Sequence, residues 1–191
     1  MDKFNFYNNS SEYFNILKNE PAEYYDEFIQ FVRYYLNNKQ GKILDVGCGT
    51  GQSTNYLKEV GYQPVGYDFS DRYIEHAKKN YPEIEFRQGA AEKMPFGDNE
   101  FSAVVTYNSI EHFDDITGSL SEMNRVLKPG GLLIIQAPNL LSPKLPIASI
   151  RKNGQTFEGQ KNFFELLHGI IQFLYRLINN CQQGYFNIIY Q

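Results

Sequence analysis

Residues 43 to 52, Ile-Leu-Asp-Val-Gly-Cys-Gly-Thr-Gly-Gln, run an apolar strand straight into a turn with glycine at every second position. Gly47, Gly49 and Gly51 remove Cβ atoms where the backbone must reverse sharply, and they let a ligand lie against bare main chain. Asp45 puts a carboxylate at the strand's end, ahead of the glycines. The spacing is G-x-G-x-G. The G-x-G-x-x-G fingerprint aims its third glycine and a helix N-terminus at a pyrophosphate, which an acid in this place repels. The turn therefore favours a cationic or zwitterionic ligand. Cys48 is expected as a small filler within it.

Strand-like runs at 42–47, 63–67, 84–87, 101–107 and 131–137 alternate with helix-like segments at 22–37, 52–60, 71–80 and 117–127. That β-α repeat predicts an α/β fold, a doubly wound and mostly parallel sheet with helices on both faces. Boundary signals agree. Pro21 opens a helix, Gly61 closes one, Ser70 caps one, Ser119 with Glu122 forms a capping box, and Pro129-Gly130-Gly131 stops the helix before the fifth strand. Tyr24, Tyr25, Phe28, Phe31, Val32 and Tyr35 recur at helical spacing, giving a helix with an aromatic face toward the sheet.

The whole chain, with 191 residues and 42% hydrophobic content, suffices for one good-sized core. A net charge of −4 and the lack of a basic stripe exclude a dedicated nucleic-acid surface. No stretch reaches the roughly 20 apolar residues of a membrane span, and the N-terminus lacks the pattern of a secretory signal, so a cytoplasmic location is the default. Cys48 and Cys181 form no C-x-x-C pair; two free thiols are expected, with no zinc or redox motif.

The second strand ends in Val-Gly-Tyr-Asp-Phe-Ser, where Asp68 at the strand tip can accept both hydroxyls of a ribose. The other reading of Asp68, a helix cap or simple loop carboxylate, loses weight beside the glycine turn. The fourth strand runs into Asn108-Ser109-Ile110-Glu111-His112. Strands one and four flank the point where chain direction across the sheet reverses, so Asn108 and Glu111-His112 face the ligand crevice. His112 is the candidate proton acceptor, because imidazole titrates near neutral pH; a buried structural histidine is the competing reading.

Taken in series, residues 41 to 138 resemble the class I S-adenosylmethionine-dependent methyltransferases. The glycine turn resembles their first motif. Ala91-Glu92 followed by Met94-Pro95-Phe96 and Asp98-Asn99-Glu100-Phe101 matches the pattern after their third strand, and Glu122 to Gly131 resembles their late helix-turn signature. The resemblance implies a Rossmann-like domain with S-adenosylmethionine as cofactor. Asp45, Gly47, Cys48, Gly49 and Gly51 would border the methionine end, Asp68 the ribose, Phe69, Ala91 and Glu92 the adenine, and Asn108 the inner wall. Some quinone-pathway O-methyltransferases of this superfamily carry Glu-x-x-Glu-His here to hold a metal. Asn108 replaces the first acid, so no metal is expected.

The expected reaction is methyl transfer to a small-molecule acceptor at an O, N or C nucleophile, giving S-adenosylhomocysteine. The alternatives are a catalytically degenerate S-adenosylmethionine-binding or regulatory module and, with less support, an NAD-dependent oxidoreductase. The expected organisation is a single domain, with a helical cap at 1–40, the cofactor-binding core at 41–138, and a substrate-side insertion and last strand at 139–191. The apolar segment 163–178 is a candidate core, lid or homodimer helix; the lesser alternative is a helix on a bilayer surface, against which its single arginine counts. The family's sheet normally continues past a sixth strand, here placed at 185–190, so the C-terminal part of the sheet is expected to be incomplete and the chain to be a fragment of a longer protein.

Overall fold

A computed structural model describes residues 3–36, 41–138 and 185–190. The segment 163–178 and Cys181 lie outside the described residues. The chain divides into two units, Met1–Ala137 with Asn187–Gln191, and Pro138–Phe186. Every residue of the candidate site lies in the first.

The described elements are α1 (Lys3–Asn9), α2 (Ser11–Lys18), α3 (Glu23–Leu36), β1 (Lys42–Val46), α4 (Gln52–Glu59), β2 (Gln63–Asp68), α5 (Asp71–Asn80), β3 (Glu85–Gln88), β4 (Phe101–Tyr107), a 3-10 turn (Ile110–His112), α6 (Ile116–Val126), β5 (Leu127–Pro138) and β6 (Tyr185–Tyr190). The sheet order is β3-β2-β1-β4-β5-β6. Strands β1 to β5 pair in parallel. The chain winds outward from β1 to β3, then returns to β4 on the other side of β1. The carboxyl ends of β1 and β4 thus flank the switch point, where open α/β sheets bind ligands.

Helices cover the sheet because its strands are buried on both faces: β1 and β2 are buried from their second residue onward. Tyr25, Phe28, Ile29, Val32 and Leu36 form the inner stripe of α3 and pack on Ile43, Ala103, Val105, Leu132 and Ile134. A smaller cluster of Cys48, Ile74, Ala77, Ile84 and Phe86 seats α5 beside β3.

Two local expectations are corrected. Helix α6 is capped by Asp115, whose carboxylate accepts from the Gly118 amide at 2.9 Å. Ser119 lies a turn inside, fully buried, and donates to the Asp115 carbonyl. Gly118 permits this cap, since a Cβ there would meet Asp115 Oδ2 at 2.5 Å. The helix also ends at Val126, before the proline and glycines. Buried Leu127 already pairs with Phe101, while the next pairing joins Ala103 to Leu132. Lys128-Pro129-Gly130-Gly131 is therefore a loop-out within β5, where Gly130 takes the left-handed φ of 72°. Ser70 and Gly61 behave as expected. Ser70 caps α5, and Gly61 closes α4 with its amide on the Lys58 carbonyl and the Tyr62 amide on the Leu57 carbonyl.

Candidate functional site

The turn after β1 divides its glycine labour. Gly49 has φ of 53° and nothing within 4 Å of where a Cβ would sit, so this stretch of main chain faces open space. Gly47 has φ of 77°, and a Cβ there would collide with the Ser109 side chain. Ser109 donates to the Gly47 carbonyl at 2.9 Å, stitching the loop after β4 to the loop after β1. Gly51 likewise serves close packing, against Ala77 and Phe86. Of the three, only Gly49 leaves its main chain facing open space.

Asp68, at the tip of β2, accepts from the Gly49 amide at 2.9 Å through Oδ2 and from the Ser70 amide at 2.9 Å through Oδ1. Burial raises its pKa to about 6 against those stabilising amides. Asp45 lies under the same turn. Its Oδ2 accepts from the hydroxyls of Ser53 and Thr54, both at 2.7 Å, and its buried Oδ1 has no partner. Burial raises this carboxyl to about 6 as well, opposed by the two hydroxyl bonds. Cys48 is a free, buried thiol turned into the α5 cluster, so only its main chain borders the turn. Burial pushes that thiol well up.

The adenine-side candidates sit on the loop after β3. Tyr67 holds this loop by donating to the Ala90 carbonyl at 3.0 Å. Ala91 is buried, and Glu92 Oε1 accepts from the Asp115 amide at 3.2 Å. The far end of the loop is clamped by α6. Arg125 donates to the carbonyls of Met94 and Phe96, at 3.1 and 2.9 Å, and Glu122 accepts from the Met94 amide at 2.7 Å. The late signature residues thereby support the wall made by the earlier ones.

Beyond β4, Asn108 takes a left-handed φ of 48°, and its amide donates to the Gln136 carbonyl at 2.8 Å. Its Nδ2 reaches the Tyr24 hydroxyl at 3.4 Å, and its buried Oδ1 has no partner. Non-glycine residues with positive φ cluster at functional sites. His112 is exposed, its side chain 42% accessible, so the reading of a buried structural histidine does not hold. Glu111, by contrast, is 22% accessible, with Oε2 buried and unpartnered, and burial raises it to about 7.

Two sets of contacts tie the N-terminal helices to the site. Tyr7 of α1 packs edge-on against Phe69 at 5.3 Å and against His112 at 5.7 Å, spanning the ends of β2 and β4. Gln52 donates to the carbonyls of Lys18 and Glu20, at 3.2 and 3.3 Å, fastening the α2–α3 link to the glycine turn. Tyr25 also donates to the Glu20 carboxylate. Nothing in the string pairs Gln52 with Lys18.

The residues fit a nucleoside-bearing cation: an open glycine turn, a ribose-type acid beside it, and unpartnered buried acceptors on Asp45 and Asn108. Fold and site together define a Rossmann-like domain of the S-adenosylmethionine-dependent type. Residues 44–135 match the family model "Methyltransferase domain", and over this segment the chain is similar to the class I S-adenosylmethionine-dependent methyltransferases. The demethylmenaquinone methyltransferase of Chlorobaculum parvum is 41% identical over 110 residues, covering 57% of this chain and 45% of that protein. The chain spans about half the length of the curated relatives it matches. A Pyrococcus horikoshii protein of known structure superposes with a TM-score of 0.59 at 30% identity, covering 72% of this chain and 64% of the other. A Methanococcus maripaludis structure gives a TM-score of 0.67 at 23% identity over 93% and 89% of the two chains, a likeness of fold alone. Among the described residues, no helix is long and apolar enough to cross a membrane.

Proposed function

We propose that the protein transfers a methyl group from S-adenosylmethionine to a small-molecule acceptor, releasing S-adenosylhomocysteine. The observation that carries this reading is the pairing of an open Gly49 with Asp68, joined by one hydrogen bond at the switch point. When bound, S-adenosylmethionine supplies an activated sulfonium methyl, so the protein's task is to bind, align and exclude water; such orientation is worth on the order of 7 to 11 kcal/mol. In this reading the main chain of Gly47, Cys48, Gly49 and Gly51, with Asp45, holds the methionine end. Asp68 accepts from the ribose, Phe69, Ala91 and Glu92 border the adenine, and Asn108 lines the inner wall.

The similarity to a demethylmenaquinone methyltransferase supports a finer reading, a quinone-type or related aromatic acceptor. The test is calorimetric titration with S-adenosylmethionine and S-adenosylhomocysteine, with NAD as control. Binding of both, abolished in Asp68→Ala and absent for NAD, is the expected result. A folded protein that binds neither overturns the reading.

A further inference from the structure

Glu111 and His112 are adjacent in the 3-10 turn after β4, yet they occupy opposite environments. The His112 ring is exposed and rests against Tyr7, whereas Glu111 Oε2 is buried without a partner. An orphaned buried carboxylate oxygen is costly and asks for a proton or a donor. It lies beyond the end of β4, where the switch point opens the crevice. Its other oxygen, Oε1, is 3.8 Å from His112 Nε2. The titratable groups facing it are His112 on its own turn, Tyr7 of α1 and Tyr13 of α2.

Resting on the methyl-transfer reading above, we propose that Glu111 accepts, on Oε2, the proton that an aromatic hydroxyl sheds as it is methylated, and that His112 carries this proton out to solvent. The acceptor's O–H bond breaks with its proton on Glu111. The freed oxygen pair forms the O–CH3 bond, and the S–CH3 pair stays on sulfur as a neutral thioether. The protonated carboxyl then turns about its Cγ–Cδ bond, which carries the proton from the Oε2 side to the side facing His112, and the imidazole takes it and yields it to water, restoring the carboxylate. The carboxyl's position near pH 7, raised by burial, suits a base that must work at neutral pH.

The test compares wild type with Glu111→Gln and Glu111→Asp in three measurements: S-adenosylhomocysteine affinity, a carbon-13 carboxyl titration, and transfer of labelled methyl from S-adenosylmethionine to a naphthohydroquinone probe. Glu111→Gln is expected to keep S-adenosylhomocysteine affinity within about twofold while transfer falls on the order of 100-fold or more and loses its acidic limb. The carboxyl resonance titrating near pH 7 should vanish, and Glu111→Asp should recover part of the rate. Unchanged transfer and pH profile in Glu111→Gln would overturn the proposal, as would loss of S-adenosylhomocysteine affinity in that variant alone. Wild-type protein that binds S-adenosylhomocysteine but methylates no probe hydroxyl also overturns it, leaving the cofactor reading intact. Failure of wild type to bind at all instead sinks the function reading.

Discussion

The Gly49 amide donates to Asp68 Oδ2 at 2.9 Å, so the open glycine of the first turn and the acid of the second are held as one unit. That bond couples the shape of the turn to the charge of the acid. A hydrogen bond to a charged group contributes about 1.5 to 3 kcal/mol, and its loss frees the turn as well as removing the ribose acceptor. Asp68→Asn keeps the volume but replaces one acceptor oxygen with a donor facing the Gly49 or Ser70 amide. It should weaken S-adenosylhomocysteine binding on the order of 100-fold by calorimetry, close to the effect of Asp68→Ala. Wild-type affinity in Asp68→Asn would remove the acid from the binding unit.

Gly47→Ala and Gly49→Ala should fail differently. At Gly47 the new methyl runs into the Ser109 side chain, so this variant should melt at markedly lower temperature. At Gly49 the methyl enters open space, and the cost to folding is the left-handed strain of roughly 1 to 2 kcal/mol. Its larger effect should be on ligand affinity, since the space it fills is where the ligand would lie. Calorimetry and thermal melts on both variants would separate the two roles; equal affinity loss with equal destabilisation would contradict the division.

Protonation gives a third expectation. Asp45 and Asp68 are each raised to about 6 in the folded chain, above the ordinary 3.8, by burial. Between these values the folded state holds more protons than the unfolded one, so their contribution to stability falls as pH rises from about 4 to about 6. Ligand binding runs the other way, because ribose hydroxyls and a cation call for ionised carboxylates. Affinity for S-adenosylmethionine should climb as pH passes upward through about 6 and then level off, with proton release during binding below that point. A flat affinity between pH 5 and pH 7 would contradict these assignments.

Gln52→Ala should cost little global stability, about 1 kcal/mol, because the lost bonds lie at the partly exposed junction of α2 and α3. Amide exchange should nonetheless accelerate in residues 3–20 ahead of the core strands. If exchange in that segment is unchanged, the Tyr25 bond to Glu20 and the Tyr7 ring contacts hold it without Gln52.

Much of the frame was legible because it is written in short strings. The glycine spacing, the acid ending β2 and the strand-helix alternation depend on neighbours a few residues apart, and these local signals agree with the parallel topology. What was not legible joins distant residues: Ser109 to Gly47, Gln52 to Lys18, Tyr7 to both Phe69 and His112. Local signals also misled where burial outweighed them. Leu127 was drawn into pairing with Phe101 by its apolar side chain, although the proline and glycines after it imitate a turn that ends a helix. Ser119 looked like a cap, but burial of Ile116 drew the helix start back to Asp115. Adjacent Glu111 and His112 were indistinguishable in the string; only the fold hid one and exposed the other.

The loop-out in β5 has a consequence for how this domain tolerates change. Leu127 opposite Phe101 and Leu132 opposite Ala103 are separate anchor points, with exposed residues 128–130 between them and Gly131 packed under Leu127. A residue gained or lost there alters the slack and leaves Gln136 opposite Tyr107, with its carbonyl on the Asn108 amide. The inner wall is thus insulated from length variation at the start of β5, which makes residues 128–130 a natural place to graft a reporter peptide without disturbing the crevice.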